Sequence, residues 1–253
     1  MVFPWGNSAL VTGATGGVGQ AICEQLLKYG IEDLAVVDLS AKEPSIVGKW
    51  RQKYSNTSIT YFSVDVSCQD DLQRCYETFV KGIKSLDIVV NCAGIFNENH
   101  PRKMVEVNLC GTIGSTLLAM EYMRMDGEKG RGGVVANISS IAGILPMSRA
   151  PTYSATKHAI VAFTRSLALG HNDKGIRFLT LCPGGVLTPL LLSMKFLDLK
   201  TIELFKIFKT FRIQSARSVS QAVVSIIECG ENGSVWIIKN GKLTEYTKHQ
   251  INI

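Results

Sequence analysis

Short apolar runs alternate with longer segments of helical periodicity along the whole chain of 253 residues. The apolar runs are rich in Val, Ile and Leu, and they predict seven β-strands, at residues 9–12, 34–38, 59–64, 86–91, 133–138, 177–182 and 235–239. The periodic segments predict helices near 17–29, 68–83, 102–124, 151–170, 200–212 and 218–229. Another helix, near 42–54, is predicted to be short or irregular because Pro44 interrupts it.

This alternation of strands and helices is typical of a parallel sheet with helices on both faces. The runs at 34–37 and 88–90 contain no polar residue, as expected of strands that are buried on both sides. No internal repeat, low-complexity tract or linker divides the chain. The sequence therefore predicts the α/β class, with one doubly wound parallel sheet of about seven strands in a single domain over residues 1–253, rather than two small domains.

The composition is that of an ordinary globular protein, with 46% hydrophobic and 19% charged residues. No apolar run is long enough to span a membrane, and the first residues lack the basic and apolar regions of a secretory signal. The seven cysteines are odd in number and include no Cys-x-x-Cys pair, so we expect reduced thiols and a cytoplasmic protein. The four histidines have no ligand spacing to one another or to cysteine, and no metal site is predicted.

The net charge of +6 raises the question of a nucleic-acid partner. Much of the excess lies between Lys195 and Arg217, where six basic residues accompany two acidic ones. They are interleaved with apolar residues rather than spread along a polar face, so we expect no nucleic-acid partner. The lysines would attract a carboxylated substrate or associate weakly with an anionic membrane surface, and a solvated face is the favoured alternative.

A glycine-rich segment follows the first predicted strand and opens the first predicted helix, with glycines at Gly13, Gly17 and Gly19. Glycine allows a sharp turn and lets a pyrophosphate approach the helix N-terminus, whose amides and dipole favour anions. Asp38 ends the second predicted strand, where its carboxylate can bind both hydroxyls of a ribose and repel a 2′-phosphate. The two features favour NAD over NADP. The alternative for Asp38 is a helix cap or a solvated strand end.

Tyr153 and Lys157 are four residues apart in a predicted helix, so their side chains lie on one face. A phenol titrates near pH ~10, and a proton acceptor that works near neutrality needs a pKa lower by roughly two to three units. A neighbouring ammonium is one of the few groups that can lower the pKa by that amount. Alone, such a pair is more often a surface contact than a catalytic one, and its meaning depends on the motifs around it.

Six features stand in a fixed order along the chain: residues 12–19, 91–94, Asn108, Ser140, 153–157 and 183–184. As a set they resemble the short-chain dehydrogenases/reductases, and the resemblance covers essentially the whole chain. Segments 133–143 and 153–164 are similar to the hydroxyprostaglandin dehydrogenases and the insect-type alcohol dehydrogenases, and the ending is similar to the insect-type branch. The resemblance implies a Rossmann-like fold and an NAD-dependent oxidoreductase that acts on an alcohol or carbonyl substrate.

The resemblance also implies the roles of four catalytic residues. Tyr153 would take the proton from an alcohol or return it to a carbonyl, while Lys157 would lower the pKa of Tyr153 and hold the nicotinamide ribose. Ser140, rather than its neighbour Ser139, would hydrogen-bond the substrate oxygen. Asn108 would hold a water that links Lys157 to solvent, or, alternatively, its amide satisfies a kinked helix.

Further residues would line the NAD site, from the glycine-rich turn, the ends of the second, third and fourth strands, the catalytic helix and the loop after the sixth strand. They are Gly13, Gly17, Val18, Gly19, Asp38, Asp65, Val66, Asn91, Ala93, Gly94, Tyr153, Lys157, Pro183, Gly184, Val186 and Thr188. By the same resemblance, Asp65 and Val66 would contact the adenine, unless Asp65 only caps its strand. Val186 and Thr188 would contact the carboxamide.

Residues 189–213 correspond to the region where this family places its variable substrate lid, here rich in leucine and phenylalanine. We expect an apolar pocket for a sizeable lipid-like alcohol or ketone, such as an isoprenoid, retinoid, steroid or fatty-acid derivative. The alternative is that these side chains only pack the lid onto the body. Ala150 stands three residues before Tyr153, where the hydroxyprostaglandin enzymes have a glutamine, and this difference argues against a prostaglandin substrate.

Small residues recur at helical spacing on the Tyr153 helix, at Ala155, Ala159, Ala162 and Ser166. Such a stripe permits close approach of a second helix. Since this helix builds the dimer in the family, the resemblance implies a homodimer or homotetramer, and packing within the protein's own core is the alternative.

Two other functions remain open: a non-catalytic relative that binds a nucleotide or lipid, and an NADPH-dependent carbonyl reductase. The presence of all four catalytic residues speaks against the first. The carboxylate of Asp38 speaks against the second.

Overall fold

The computed structural model describes residues 6–127, 130–197 and 213–247. Its strands are β1 (Ser8–Thr12), β2 (Asp33–Asp38), β3 (Ser58–Ser63), β4 (Ile88–Asn91), β5 (Gly133–Ile138), β6 (Ile176–Pro183), β7 (Val235–Lys239) and β8 (Lys242–Glu245). Its helices are α1 (Gly17–Lys28), α2 (Ser45–Lys53), α3 (Gln69–Lys81), α4 (Pro101–Met104), α5 (Thr112–Met123), α6 (Pro151–Gly170), α7 (Pro189–Leu192) and α8 (Ala216–Cys229). A π-helical segment, Val105–Gly111, joins α4 to α5.

The strands form one sheet in the order β3-β2-β1-β4-β5-β6-β7-β8, in which β1 to β7 are parallel. The predicted α/β fold with a doubly wound sheet is therefore confirmed, and each predicted strand is present. β8 was not predicted; it runs antiparallel to β7 after a tight turn at Asn240 and Gly241, whose φ angles of 55° and 73° suit a type I′ turn.

The helix predicted near 42–54 to be short or irregular is a short regular helix of nine residues, α2, that begins directly after Pro44. Proline is compatible with a helix start because its missing N–H would have no partner there. The predicted helix at 200–212 and most of the lid at 189–213 lie outside the described residues.

Helices cover both faces of the sheet and bury its apolar residues. On one face α1, α2 and α8 pack against alternate strand residues such as Val11 and Val36. On the other face α3, α5 and α6 pack against the intervening residues, such as Leu10 and Ala35. Burial on both sides explains why the strands read as continuous apolar runs in the sequence.

The site is positioned by the neighbouring strands β1 and β4. The helix that follows β1 packs on one face of the sheet and the helices that follow β4 pack on the other. Loops leaving in opposite directions open a crevice at the carboxyl ends of these strands, where doubly wound sheets bind their ligands. Within the described residues, no helix combines the length and apolarity needed to cross a membrane.

Candidate active site

A cavity of about 560 Å³ opens at this crevice. Its walls come from the loops that follow β1 to β6 and from α6 and α7. The volume suits a small-molecule or cofactor site, since such sites measure ~300–1,000 Å³. Every site residue predicted from the sequence lines the cavity except Asn91 and Asn108, which lie beneath it.

The glycine-rich turn approaches the end of β4 very closely. Gly13 has a φ of 64°, and a Cβ at this position would lie 2.7 Å from the Cα of Ala93. The hydroxyl of Thr12 accepts hydrogen bonds from the amides of Cys92 and Ala93, at 3.2 and 3.3 Å, and so holds the two loops together. No side chain caps the N-terminus of α1 at Gly16. This uncapped helix start facing a cavity fits an anionic group such as a pyrophosphate.

Asp38 is held in place by the same turn. Its Oδ2 accepts hydrogen bonds from the backbone amide of Thr15 at 2.8 Å and from its hydroxyl at 2.7 Å, and its Oδ1 accepts from the amide of Leu39. Within the described residues, no lysine or arginine forms an ion pair with Asp38. The carboxylate therefore caps the turn and also presents an uncompensated negative charge at the cavity wall.

Beyond Asp38, the wall is formed by Leu39, which is 66% exposed, and by Val64, Asp65 and Val66. Asp65 accepts hydrogen bonds from the amide and hydroxyl of Ser67, so it caps the strand end as the alternative interpretation expected. It lines the cavity as well. This end of the cavity is a largely apolar slot with two carboxylates and one ammonium at its rim, since Lys103 forms an ion pair with Asp65 at 3.3 Å.

Tyr153 and Lys157 lie one turn apart at the start of α6, and both are buried. The helix starts at Pro151, whose fixed φ suits the first helical position. The Lys157 Nζ lies 5.7 Å from the centroid of the Tyr153 ring and donates a hydrogen bond to the carbonyl of Ile138 at 3.0 Å. The phenol and the ammonium therefore share one face of the helix, as their spacing predicted.

Ser140 and Ser139 are adjacent but have different partners. Ser140 lies beside Tyr153 at the cavity wall, close enough for its hydroxyl to lower the pKa of the phenol, and its Oγ accepts a hydrogen bond from the amide of Ala142 at 3.2 Å. Ser139 instead donates its hydroxyl hydrogen bond to the carbonyl of Lys157 at 2.8 Å. The geometry thus brings Ser140 to Tyr153 and occupies Ser139 elsewhere.

Burial controls the ionisation of the two central groups. It raises the pKa of the Tyr153 phenol to about 12, against the opposing effect of the nearby Ser140 hydroxyl. It lowers the pKa of the Lys157 ammonium to about 8. Both shifts arise because removal from water disfavours the charged form. In the protein alone, therefore, the pKa of Tyr153 moves in the opposite direction to the one expected from Lys157.

Asn91 lies under the floor of the cavity and joins three elements. Its Nδ2 donates to Asn137 on β5 at 2.9 Å and to Thr116 on α5 at 3.0 Å, and its Oδ1 accepts from Ser115 at 2.6 Å. It was predicted to support the cofactor from β4. Its position makes that support indirect, through the end of its strand.

Asn108 lies in the π-helical segment and is fully buried. Its Oδ1 accepts a hydrogen bond from the amide of Ile95 at 2.8 Å, and its Nδ2 donates to the carbonyl of Ile95 at 2.9 Å. Both ends of the amide thus hold the chain that follows Gly94. The amide therefore does not satisfy the kinked helix, as the alternative in the sequence analysis expected, and the π-helical turn instead directs it towards the loop at the cavity floor.

The other end of the cavity, next to Tyr153, is apolar. Its lining residues there are Phe96, Met147, Leu190, Leu191, Met194 and Phe196. The ring of Phe96 lies between those of Tyr153 and Phe196, with centroid distances of 4.5 and 4.7 Å. Ala150 is fully buried in the same cluster.

Three residues at this end were missed in the sequence: Phe96, Met147 and Glu98. They lie outside the matched motifs, and no spacing or composition signal marks them. Glu98 does not line the cavity, but its buried carboxylate accepts hydrogen bonds from the first turn of α6.

Together, the doubly wound sheet, the glycine turn and the buried group of Ser140, Tyr153 and Lys157 define an oxidoreductase of the dinucleotide-binding α/β class. Residues 7–195 match the family model described as short chain dehydrogenase. The chain belongs to this family.

Similar curated proteins cover most of the chain. The 15-hydroxyprostaglandin dehydrogenase [NAD(+)] of Rattus norvegicus is 33% identical over 249 residues, which is 94% of this chain and 92% of the relative. The protein of the same name from Homo sapiens is 38% identical over 194 residues, 75% of this chain and 72% of the relative. Alcohol dehydrogenase 1 of Ceratitis cosyra is 29% identical over 244 residues, 95% of this chain and 94% of the relative. The predicted resemblance to these two branches is confirmed.

Solved structures show the same architecture. Levodione reductase is 25% identical, with a TM-score of 0.81 over 93% of this chain and 96% of its own. The structure of ElxO with NADP bound has a TM-score of 0.78 at 23% identity, over 93% of this chain and 98% of its own, and at that identity it speaks for the fold alone.

Proposed function

We propose that this protein is an NAD-dependent dehydrogenase that oxidises a sizeable apolar alcohol or reduces the corresponding carbonyl. The observation that carries the proposal is the Tyr153 phenol, next to Ser140 and one turn from Lys157, at the junction of an apolar pocket with the dinucleotide crevice. When bound, NAD supplies the hydride acceptor for the alcohol carbon and a positive charge next to this group.

In this proposal the chain's own residues manage the proton. Ser140 and Tyr153 hold the substrate oxygen between their hydroxyls, and Tyr153 accepts the proton as the carbonyl forms. Because burial raises the pKa of Tyr153 to about 12 in the protein alone, the phenol starts neutral and needs nearby positive charge to act as a base. Lys157, with a pKa of about 8, keeps most of its charge at neutral pH and supplies part of it.

NAD rather than NADP is proposed on the basis of Asp38. A 2′-phosphate would have to approach a carboxylate that, within the described residues, has no basic partner. The prostaglandin dehydrogenases to which the chain is similar carry NAD(+) in their names, which supports the same choice. An NADPH-dependent carbonyl reductase remains the second candidate within the enzyme class.

The substrate is proposed to be lipid-like because the pocket next to Tyr153 is lined by phenylalanine, leucine and methionine. A substrate with a second hydroxyl or a carboxylate would lose water there without gaining a hydrogen bond from Ala150. We therefore do not expect a prostaglandin to be the preferred substrate, although prostaglandin dehydrogenases are among the relatives.

A homodimer that uses α6 is part of the proposal. Ala155, Ala162 and Ser166 are exposed on α6 and Ala159 is half-buried, so most of this stripe faces away from the protein's own core. Leu169 on the same helix is also exposed, by 87%. Sedimentation at micromolar concentration should give a dimer or tetramer, and Ala162→Glu should shift it towards the monomer. A monomeric wild type would refute this part of the proposal.

A cytoplasmic location is also proposed. All seven cysteines lie in the described residues, and none forms a disulfide. Reduced thiols are typical of cytosolic proteins.

The test is to follow absorbance at the reduced-nicotinamide band with NAD and a panel of apolar secondary alcohols, with a prostaglandin included. We expect turnover of at least one apolar alcohol and a lower kcat/KM for the prostaglandin. Tyr153→Phe should lower kcat by roughly 10²- to 10⁴-fold while NAD still binds, since it removes only the proton acceptor. Binding of NAD without turnover of any alcohol would favour the non-catalytic relative instead.

A further inference from the structure

The segment of residues 95–98, which follows β4, lies between the catalytic helix and the part of the lid that the structure describes. Its beginning is held by the amide of Asn108, as described above. Its end pairs with the lid: the amide of Glu98 donates to the carbonyl of Lys195 at 2.8 Å, and the amide of Lys195 donates to the carbonyl of Phe96 at 3.4 Å. The lid thus rests on this segment through a short parallel bridge.

The side chain of Glu98 turns the other way, towards α6. Its two oxygens accept hydrogen bonds from the amides of Tyr153 at 2.9 Å and Thr152 at 3.3 Å. The residue is only 6% exposed, and in the described part of the chain it forms no ion pair. A buried carboxylate without a cation is stabilised here by the positive end of the helix dipole and by two N–H donors.

The N-terminus of α6 depends on this carboxylate because its own sequence lacks a cap. The N-cap residue is Ala150, whose methyl group accepts no hydrogen bond, and Pro151 has no amide. The amides of Thr152 and Tyr153 would otherwise point into a buried region without an acceptor, which costs roughly 1–3 kcal/mol per group. Glu98 therefore supplies from a distant segment the cap that helices usually carry locally.

We propose that Glu98 is a positioning residue that couples the backbone bridge to the lid at Lys195 to the placement of the catalytic phenol. Its backbone carries the lid, its side chain fixes the backbone of Tyr153, and the ring of Phe96 between them contacts the rings of Tyr153 and Phe196. This inference rests on the proposed function, in which Tyr153 transfers the proton. It implies that the lid and the catalytic tyrosine move or stay in place together.

The matched variants are Glu98→Ala, Glu98→Gln and Ser215→Ala. The first removes both acceptors, while the second keeps one carbonyl oxygen for the Tyr153 amide. The control removes the side-chain cap of α8, in which Ser215 accepts from the amide of Ser218 outside the cavity. All three are compared for kcat and KM with the best alcohol, for NAD affinity, and for amide hydrogen exchange in residues 152–156 and 193–197.

For Glu98→Ala we expect kcat to fall roughly 10- to 100-fold, since a displacement of about 1 Å at the reacting group has this effect, while NAD affinity stays within a few-fold. Exchange should become faster in both segments together. Glu98→Gln should recover part of both losses. Ser215→Ala should lose stability but keep kcat and the exchange rates of both segments.

The coupling is refuted if Glu98→Ala keeps kcat within twofold, or if exchange in 193–197 is unchanged while that in 152–156 rises. Should Glu98→Ala fail to fold, hydrogen exchange in Glu98→Gln decides: the coupling requires the two segments to change together, and a rise in 152–156 without one in 193–197 refutes it. A wild type that binds NAD but turns over no alcohol refutes the proposed function. The exchange measurement then still decides whether Glu98 links the two segments.

Discussion

At the scale of single residues, the proposed chemistry needs a buried Lys157, and the burial of its ammonium lowers the stability of the fold. Burial lowers the pKa of its ammonium to about 8, below the ordinary value of 10.5, so the folded protein holds this proton less tightly than the unfolded chain. Between these two pH values the unfolded chain binds more protons, and the free energy of unfolding therefore rises with pH across that window.

Lys157→Met should for this reason raise the melting temperature of the cofactor-free protein at pH 7. The gain is about 2 kcal/mol after the lost hydrogen bond to the Ile138 carbonyl is subtracted. This gain in stability should shrink as the pH rises from about 8 towards 10, because the wild-type lysine is then buried in its neutral form and no longer destabilises the fold. Thermal unfolding of both proteins across pH 7 to 10 measures this difference. A variant less stable than the wild type at pH 7 contradicts the assignment.

Asp38 is the residue on which the choice of cofactor depends. Asp38→Asn keeps an oxygen that can accept from Thr15 but removes the negative charge, so NADP affinity should rise by roughly tenfold or more relative to NAD, in line with about 1.4 kcal/mol per tenfold change. Asp33→Asn, at the opposite end of β2, is the matched control and should change neither affinity. Binding titrations of both cofactors measure the effect. Tighter NADP than NAD binding by the wild type would overturn the assignment.

At the scale of elements, two glycines in helices differ in the space that a side chain would have. A Cβ at Gly19 in α1 would overlap the carbonyl oxygen of Gly13 and lie 2.8 Å from the Cα of Ala14. A Cβ at Gly48 in α2 would meet no atom within 4 Å. The first glycine allows the turn to fold against its helix, whereas the second contributes only backbone freedom.

Gly48→Ala should therefore stabilise the protein by about 0.5–1 kcal/mol, since alanine loses less entropy in a helix. Gly19→Ala should destabilise it by about 1–3 kcal/mol and weaken NAD binding, because the turn must shift to admit the methyl group. Denaturant unfolding of the two variants gives both values. Equal effects of the two substitutions would show that the turn does not require Gly19.

The elements were well predicted where one physical rule determines them. Strands buried on both faces leave an unbroken apolar run, as in β2 and β4. β3 and β7 are only partly buried, and their β-branched and aromatic residues gave the prediction. β8 was missed because it is short, exposed and polar; the only signal was the Asn240-Gly241 turn. The π-helical segment was read as a continuous helix because periodicity does not reveal one extra residue in a turn. The role of the Asn108 side chain in that segment is evident only from the structure, where it accepts a hydrogen bond from the amide of Ile95.

At the scale of the whole molecule, the site residues that lie at strand ends or helix starts were predicted, and those placed by tertiary contacts were not. Gly13, Asp38, Ser140 and Tyr153 come from distant segments, yet each follows a strand or opens a helix, and a parallel sheet brings such positions to one edge. Glu98 belongs to the same site by tertiary contact alone. Its carboxylate is needed because the N-terminus of α6 lacks a local cap, and no sequence pattern around Glu98 indicates this.

The protein's central activity is proposed to be direct hydride transfer from an alcohol carbon to NAD, with Tyr153 removing the proton. The most direct measurement uses an apolar secondary alcohol with deuterium on the carbinol carbon, followed by mass analysis of the reduced nicotinamide. We expect one deuterium in each reduced cofactor with the wild type, and roughly 10²- to 10⁴-fold less labelled cofactor in the same time with Tyr153→Phe. Reduced cofactor without deuterium, or equal transfer by the phenylalanine variant, would contradict this proposal.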